Sequence, residues 1–291
     1  VLEMGAEHTG DIDYLTKIAP PDIAVVTAIT SSIDSSLTPV HAGNYKSVDE
    51  LVAEKSLLVK RVKPGGMVIL NADEPRVFGM RHLTHERVFT FGEVESADIR
   101  IFSKEVVAEE KPEGGVPTGL HVVLELYHRR SEITLPGVYG TSVAYALAAA
   151  VATGYAMDVL PEQLSTIASH FVPARGRTRI IPGIKRTTLF DDSYNASPAS
   201  VLQSLHDLAS VRTKSGQRKI ACLGEMRELG SKSEEMHRRV GAEAAKAGID
   251  VLVCCGIFGR VMADGAMANG MKPEQVHQID DTPEAGLFIQ E

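Results

Sequence analysis

Residues 219–255, KIACLGEMRELGSKSEEMHRRVGAEAAKAGIDVLVCC, decide the fold class of the second half of the chain. The short apolar run at 219–223 predicts a strand, residues 232–247 have the pattern of a helix, and residues 249–255 predict the next strand. Gly248 can end this helix, because glycine readily adopts the left-handed conformation that closes a helix C-terminus. Strand, helix and strand in this order predict a parallel, doubly wound sheet.

The alternation of predicted strands and helices continues upstream as far as a polar segment, residues 172–178, VPARGRT. Residues 187–191 predict a strand, and residues 198–211 predict a helix with Ser197 as N-cap and Pro198 at its first position. The proline- and glycine-containing segment before them is typical of a domain boundary. We therefore expect a domain over 1–178 and a Rossmann-like C-terminal domain over 179–291.

The first half also predicts an α/β domain. Residues 23–29, IAVVTAI, indicate a buried parallel strand, residues 47–62 a helix that begins with a capping box formed by Ser47 and Glu50, and residues 67–70 the next strand. Strand-like runs at 99–102, 121–127 and 133–135 have no long helix between them, which predicts a small antiparallel sheet, with a loop at 112–119 and a helix at 141–159. Residues 1–5 resemble the interior of a buried strand.

Composition limits the classes of function. The chain has 291 residues and a formal net charge of −8, which argues against a nucleic-acid binder or a protein that binds anionic membranes. Its three cysteines lack the spacing of a metal site and indicate buried free thiols in a reducing compartment. We expect a cytoplasmic monomer with no membrane or nucleic-acid partner.

Three residues in the first half could bind a metal ion. Lys55 projects from the apolar stripe of helix 47–62, where it is either a lysine whose amine reaches water or a desolvated amine that can be neutral and add CO2. The resulting carbamate would offer anionic oxygens to Mg²⁺. His41 lies in a loop after a predicted strand, where it could also be an ordinary surface histidine. Glu3 precedes Gly5 at an apparent strand end, where it could also be a solvent-exposed acidic residue with no metal.

Two polar loops follow predicted strands in the second half. Residues 191–198, DDSYNASP, and residues 224–230, GEMRELG, lie at the carboxyl edge of the predicted sheet, where folds of this kind bind ligands. Tyr194 and Asn195 could stack on and hydrogen-bond a purine, whereas Ser193 and Ser197 suit helix capping. Arg227 could bind a carboxylate with two parallel hydrogen bonds, or pair with a neighbouring surface glutamate.

Together these residues resemble the Mur ligases, ATP-dependent enzymes that build the peptide of the bacterial cell wall. In that family a strand-end Glu, in a motif like residues 2–5, LEMG, binds Mg²⁺, as does a His after the next strand. A lysine fourteen residues after that His is carbamylated, and His41 and Lys55 have this spacing. Residues 70–73, LNAD, match the next strand end of the family, so the resemblance implies a metal site formed by Glu3, His41 and Lys55.

The loops at 191–198 and 224–230 resemble those of the family members that add D-alanyl-D-alanine. The resemblance implies a ligase that uses ATP and Mg²⁺ to join this dipeptide to UDP-N-acetylmuramoyl-tripeptide through an acyl phosphate, with the C-terminal domain closing over the central one. The residues it implies for the nucleotide are Arg177, Asp192, Tyr194 and Asn195. Those it implies for the dipeptide are Arg227, Glu228, Leu229, Gly230 and His237.

The sequence also departs from the family. It contains no Gly-x-x-x-x-Gly-Lys-Ser/Thr loop, so we expect a fragment, truncated at both ends and inactive by itself. Tyr139-Gly140 stands where the family usually has His-Asn, and Tyr145 lies where an Asn that helps to hold the nucleotide is expected. Two alternatives stay open: another Mur-type or folate-polyglutamylating ligase, and a non-catalytic nucleotide-binding protein.

Overall fold

The structure is a computed structural model that describes residues 1–29, 44–111, 114–159, 161–213 and 216–290. It confirms the α/β fold class. The chain divides into two compact units. The first comprises Val1–Glu105, Leu120–Pro136 and Thr141–Val172, and the second comprises Val106–Gly119, Gly137–Gly140 and Pro173–Glu291. None of the described helices is both long enough and apolar enough to cross a bilayer.

The first half of the chain forms a six-stranded sheet in the order β1-β2-β3-β4-β5-β6. Its strands are β1 (Ile23–Val26), β2 (Met67–Asn71), β3 (Arg87–Gly92), β4 (Ile99–Lys111), β5 (Gly114–Leu126) and β6 (Arg129–Pro136). Its helices are α1 (Asp11–Ile18), α2 (Val48–Lys60), α3 (Pro75–Gly79), α4 (Thr141–Ala156) and α5 (Pro161–Ala168).

Strands β1 to β4 are parallel, and β4 to β6 form a meander within the same sheet. β1 pairs with β2, β2 with β3 and β3 with β4 in parallel. The last three strands are neighbours in chain order, and β5 and β6 each begin three residues after the end of the strand before. Connections this short can join only antiparallel strands. The antiparallel strands that the sequence predicts are therefore present, as an extension of the parallel sheet.

Helix α2 begins and packs much as the sequence predicts. The Ser47 hydroxyl accepts the Glu50 N–H at 3.2 Å, as the capping box predicts. The Glu50 carboxylate accepts the N–H of Lys46, one residue before the Ser47 N–H that a capping box would use. The apolar side of α2 packs on β1 and β2, and the chain leaving the helix reaches the amino ends of these strands, where the Lys63 N–H donates to the Pro21 carbonyl. The buried residues of this core are Ala24, Val26, Leu51, Val59, Val62, Val68 and Leu70.

The second half contains two sheets. Strands β9 (Ile220–Leu223), β10 (Val251–Cys255) and β11 (Val276–Ile279) are parallel in the order β11-β10-β9. The strand, helix and strand pattern of residues 219–255 predicts this parallel sheet. Strands β7 (Arg179–Pro182) and β8 (Thr188–Asp191) form a separate antiparallel pair. The helices are α6 (Pro198–Ser210), α7 (Ser233–Lys246), α8 (Gly259–Ala268) and α9 (Thr282–Gln290). Ser197 caps α6 as predicted, and Gly248 follows α7 with φ +70°.

Three details of the prediction are wrong. Residues 1–5 form no strand; Val1 and Leu2 are exposed, and the segment has no ladder partner among the described residues. Most of the expected loop at 112–119 belongs to β5, because a short connection lets its backbone pair with β4. β8 does not join the parallel sheet, because the tight turn after β7 returns the chain directly alongside that strand.

Candidate functional site

Lys55 lies half-buried on α2, the helix that packs on the six-stranded sheet. Burial lowers the pKa of its ammonium group, and the nearby carboxylate of Glu3 acts in the opposite direction. The lowered pKa means that a larger fraction of the amine is neutral near pH 7 than for an exposed lysine. Lys55 therefore has the partial desolvation that addition of CO2 requires, together with a carboxylate close enough to interact with it.

The other two expected metal ligands differ in how they are placed. Glu3 is exposed and lies in the irregular segment that precedes α1. His41 lies outside the described residues. Across the described part of the chain, no three histidine, cysteine or carboxylate side chains converge as a set that could hold a metal ion. The predicted set therefore has two members, Glu3 and Lys55, whose environment the structure describes, and a carboxylate with a carbamate fits the oxygen ligands that Mg²⁺ prefers.

The sequence interpretation missed Glu54, the neighbour of Lys55. Its side chain is only 4% exposed, and its two oxygens accept the N–H of Gly10 at 2.9 Å and that of Ile12 at 2.7 Å. Burial of a charged carboxylate is tolerated only when hydrogen bonds replace its hydration. The available signal was its position, three residues after Leu51 and four before Leu58, which places an acidic residue in the apolar stripe.

A second polar cluster follows β2 and β3 at the carboxyl edge of the same sheet. The carboxylate of Asp73 accepts the N–H groups of Glu93 at 2.5 Å and Val94 at 2.9 Å. The hydroxyl of Tyr145, on α4, donates to Asp73 at 2.6 Å and lies 3.2 Å from a carboxylate oxygen of Glu93. Burial raises the pKa of Tyr145, and the hydrogen bond to Asp73 adds to this effect. Tyr145 therefore holds the loop after β3 in place.

In the second unit, the loop after β8 is fastened to the polar segment before β7. Asp191 accepts the N–H of Gly176 at 3.1 Å, and Asp192 accepts the N–H of Thr178 at 3.3 Å and the hydroxyl of Ser204 at 3.0 Å. Both oxygens of Asp192 therefore have protein partners. The carboxylate thereby joins the segment before β7 to α6, and its role as a nucleotide ligand stays a prediction.

The remaining residues expected at the nucleotide are exposed. Tyr194 is 69% exposed, and the guanidinium of Arg177 lies over its ring, 4.2 Å from the ring centre. Asn195 is also exposed, and its side-chain oxygen accepts the N–H of Ala196 at 2.9 Å. An aromatic face paired with a cation can bind an aromatic base and its phosphates, so the chemistry of Arg177 and Tyr194 suits a nucleotide.

The loop at 224–230 follows β9, and only part of it faces solvent. Arg227 and Glu228 are exposed, and Glu228 has φ +63°. Leu229 is buried, so its side chain packs into the protein rather than lining an open pocket. Gly230 is exposed with φ +52°, a conformation that favours glycine. Of the side chains expected to contact the dipeptide in this loop, those of Arg227 and Glu228 are exposed.

His237 is fully buried, and its expected contact with the dipeptide stays a prediction. Nε2 accepts the N–H of Met226 at 2.9 Å, and Nδ1 lies 2.7 Å from the Ser233 carbonyl, to which it donates in the neutral tautomer. The ring stacks on Phe258, with the ring centres 4.5 Å apart. Burial lowers the pKa of His237, while the bond to Ser233 and the charge of Glu225 act in the opposite direction. His237 therefore holds the loop from beneath, at the residue before Arg227.

Comparison with protein families identifies both halves of the chain. The family model described as the Mur ligase middle domain matches residues 1–153, and the one described as Mur ligase, glutamate ligase domain, matches residues 176–289. The chain belongs to the Mur ligase family. The resemblance carried by the loops and by the spacing of His41 and Lys55 is therefore confirmed at the level of the family.

Among curated relatives, UDP-N-acetylmuramoyl-tripeptide–D-alanyl-D-alanine ligase from Mycobacterium tuberculosis is 32% identical over 277 residues. This match covers 93% of the chain and 51% of the relative, so the chain spans about half the length of the curated relatives it matches. A crystal structure of MurF from Acinetobacter baumannii has 24% identity and a TM-score of 0.81, over 100% of this chain and 57% of the other.

A crystal structure of MurF ligase from Thermotoga maritima in complex with ADP has 20% identity and a TM-score of 0.80. It covers 99% of this chain and 60% of the other. At these identities the two structures show that the fold is shared.

Proposed function

We propose that the protein is an ATP- and Mg²⁺-dependent ligase that joins D-alanyl-D-alanine to UDP-N-acetylmuramoyl-tripeptide in peptidoglycan synthesis. The observation that carries this proposal is the similarity, over 93% of the chain, to a relative named for that activity. A similar MurF was crystallised with ADP, which supports ATP as the phosphoryl donor. Because the reaction consumes ATP, we place it in the cytoplasm.

Glu3, His41 and Lys55 are the residues that we propose to hold Mg²⁺. The proximity of Glu3 to the half-buried Lys55 supports this, since a carboxylate and a carbamate together supply anionic oxygens. When bound, the metal would neutralise charge on phosphate oxygens during phosphoryl transfer. The chain's own contribution is to keep the Lys55 amine partly desolvated and to hold Glu3 beside it.

The proposed reaction has two steps. A carboxylate oxygen of the tripeptide attacks the γ-phosphorus of ATP, the bond to ADP breaks, and an acyl phosphate forms. The amine of D-alanyl-D-alanine then attacks the acyl carbon, the bond to phosphate breaks, and the nitrogen loses a proton as the amide forms. Both steps depend on placing the reactants together rather than on a covalent protein intermediate.

Exposed side chains of the second unit are proposed to bind the two smaller substrates. Tyr194, Asn195 and Arg177 would bind the nucleotide, and Arg227 would grip the carboxylate of the dipeptide, because a guanidinium forms two parallel hydrogen bonds with it. Glu228 and Gly230 remain proposed contacts of the dipeptide. Asp192 remains a proposed contact of the nucleotide, and Leu229 and His237 remain proposed contacts of the dipeptide.

The proposal is tested by phosphate release from the full-length protein supplied with ATP, Mg²⁺ and UDP-N-acetylmuramoyl-tripeptide. We expect release that depends on D-alanyl-D-alanine and not on L-glutamate, D-glutamate or a diamino acid. Turnover with one of these other amino acids would assign the protein to a different branch of the family. ATP binding without turnover for any acceptor would favour a non-catalytic nucleotide-binding protein.

A further inference from the structure

Glu54 joins the segment that carries Glu3 to the helix that carries Lys55. Its carboxylate receives two N–H groups from the start of α1, those of Gly10 and Ile12, across 44 and 42 residues of sequence. Gly10 occupies the N-cap position of α1 and has no side chain to cap the helix. The carboxylate of Glu54 therefore replaces a cap, and its charge is favourable beside the positive end of the helix dipole.

Neighbouring contacts fasten the same segment. Asp11 accepts the N–H groups of Glu7 at 3.0 Å and His8 at 2.7 Å, which closes the turn before α1. The hydroxyl of Thr9 lies 3.1 Å from a carboxylate oxygen of Glu50, one turn before Glu54 on α2. The turn at residues 7–12 is thus held to α2 at two successive positions, of which Glu54 is the buried one.

We propose that Glu54 is a positioning residue, which sets the place of Glu3 relative to Lys55 by docking the first turn of α1 onto α2. Both oxygens of Glu54 accept backbone N–H groups and the side chain is buried, so we assign it no direct contact with the metal. Glu3 lies in an irregular segment with no strand partner among the described residues, and the docked turn is the nearest ordered element that follows it. The inference rests on the metal site included in the proposed function.

The decisive variants are Glu54→Gln and Glu54→Asp. Gln keeps the size of the side chain but places an NH2 group against one backbone N–H, whereas Asp keeps the charge on a shorter side chain. The matched control is Asp13→Asn, because Asp13 accepts a hydrogen bond from Arg61, at the C-cap of α2, and so joins the same two helices away from Lys55. All variants are made in the full-length protein, with Mn²⁺ as the probe and electron paramagnetic resonance of free Mn²⁺ as the readout.

We expect Glu54→Gln to weaken Mn²⁺ binding by about 10- to 100-fold, the range seen when groups behind metal ligands are removed. Glu54→Asp should weaken it less, and Asp13→Asn by no more than about twofold. The Michaelis constant for D-alanyl-D-alanine should stay unchanged in all three. Metal binding is measured below the unfolding temperature of each variant, and Glu54→Asp decides the test if Glu54→Gln does not fold.

Unchanged Mn²⁺ affinity in the Glu54 variants, together with lower thermal stability, would show that Glu54 only caps the helix, and would overturn the inference. Equal weakening in Asp13→Asn would do the same, because the effect would then follow general loosening of the helix pair. Absence of Mn²⁺ binding by the wild-type protein would also overturn it. Failure of the proposed function is recognised separately, as wild-type protein that binds Mn²⁺ but releases no phosphate with D-alanyl-D-alanine.

Discussion

Replacement of His237 by Phe isolates the role of the buried ring beneath the 224–230 loop. Phe keeps the stack on Phe258 but removes the acceptor for the Met226 N–H, a bond of 2.9 Å to a residue that is 2% exposed. A buried donor left without a partner costs about 1–3 kcal/mol. We therefore expect the free energy of unfolding to fall by that amount, and the Met226 amide to exchange about 5- to 150-fold faster if the loop opens locally.

The assay combines urea unfolding with hydrogen–deuterium exchange of the peptide that contains residues 224–230. His206→Phe is the matched control, because His206 is exposed on α6 and surface substitutions usually change stability by less than about 0.5 kcal/mol. His237→Gln should recover part of the loss, since its side-chain oxygen can accept the N–H. If the 224–230 peptide exchanges at the wild-type rate in His237→Phe, or if His206→Phe is equally destabilised, His237 does not hold this loop.

Three further predictions concern charge and hydrogen bonding. Arg227→Ala should raise the Michaelis constant for D-alanyl-D-alanine and leave that for ATP nearly unchanged; equal effects on both constants in steady-state kinetics would contradict the assignment. Tyr145→Phe removes the hydroxyl that donates to Asp73, so urea unfolding should show a loss of about 1.5–3 kcal/mol, the usual worth of a hydrogen bond to a charged group, whereas wild-type stability would contradict the bond. The pKa of His237 is lower in the folded than in the unfolded protein, so its contribution to stability should be complete above about pH 6.5 and decline as the pH falls through the folded pKa. The slope of the unfolding free energy against pH should therefore be smaller in His237→Gln than in the wild-type protein. An identical slope in the two proteins would contradict this prediction.

The elements predicted from periodicity and end signals were mostly confirmed. Ser47 caps α2, Ser197 caps α6 and Gly248 follows α7, because each of these signals acts within one turn of the chain. The errors occur where distant pairing decides the structure. The glycine- and proline-containing start of β5 is a strand because β4 runs beside it, and β8 is antiparallel because β7 precedes it by a tight turn.

The candidate site was predicted at the level of segments and less well at the level of side chains. The spacing that singled out Lys55 also placed Glu54 on the apolar side of α2, but an acidic residue there could not be interpreted without its partners in α1. His237 was expected to contact the dipeptide, and the structure shows the partners of its ring within the protein. Its ring contacts Met226, and nothing in the local sequence distinguishes a histidine that faces a pocket from one that faces the loop behind it.

Glu54 and His237 have the same relation to the residues beside them. Each is a buried polar side chain whose hydrogen-bonding atoms are taken by backbone groups, and each lies beside a residue proposed to meet a substrate or metal, Lys55 in one case and Arg227, through Met226, in the other. A buried polar group is retained only where its partners are fixed, so it constrains the backbone more strictly than an apolar side chain of similar size. Substitutions at these two positions should therefore alter the placement of Glu3 and Arg227 with little change in the chemistry that those side chains offer.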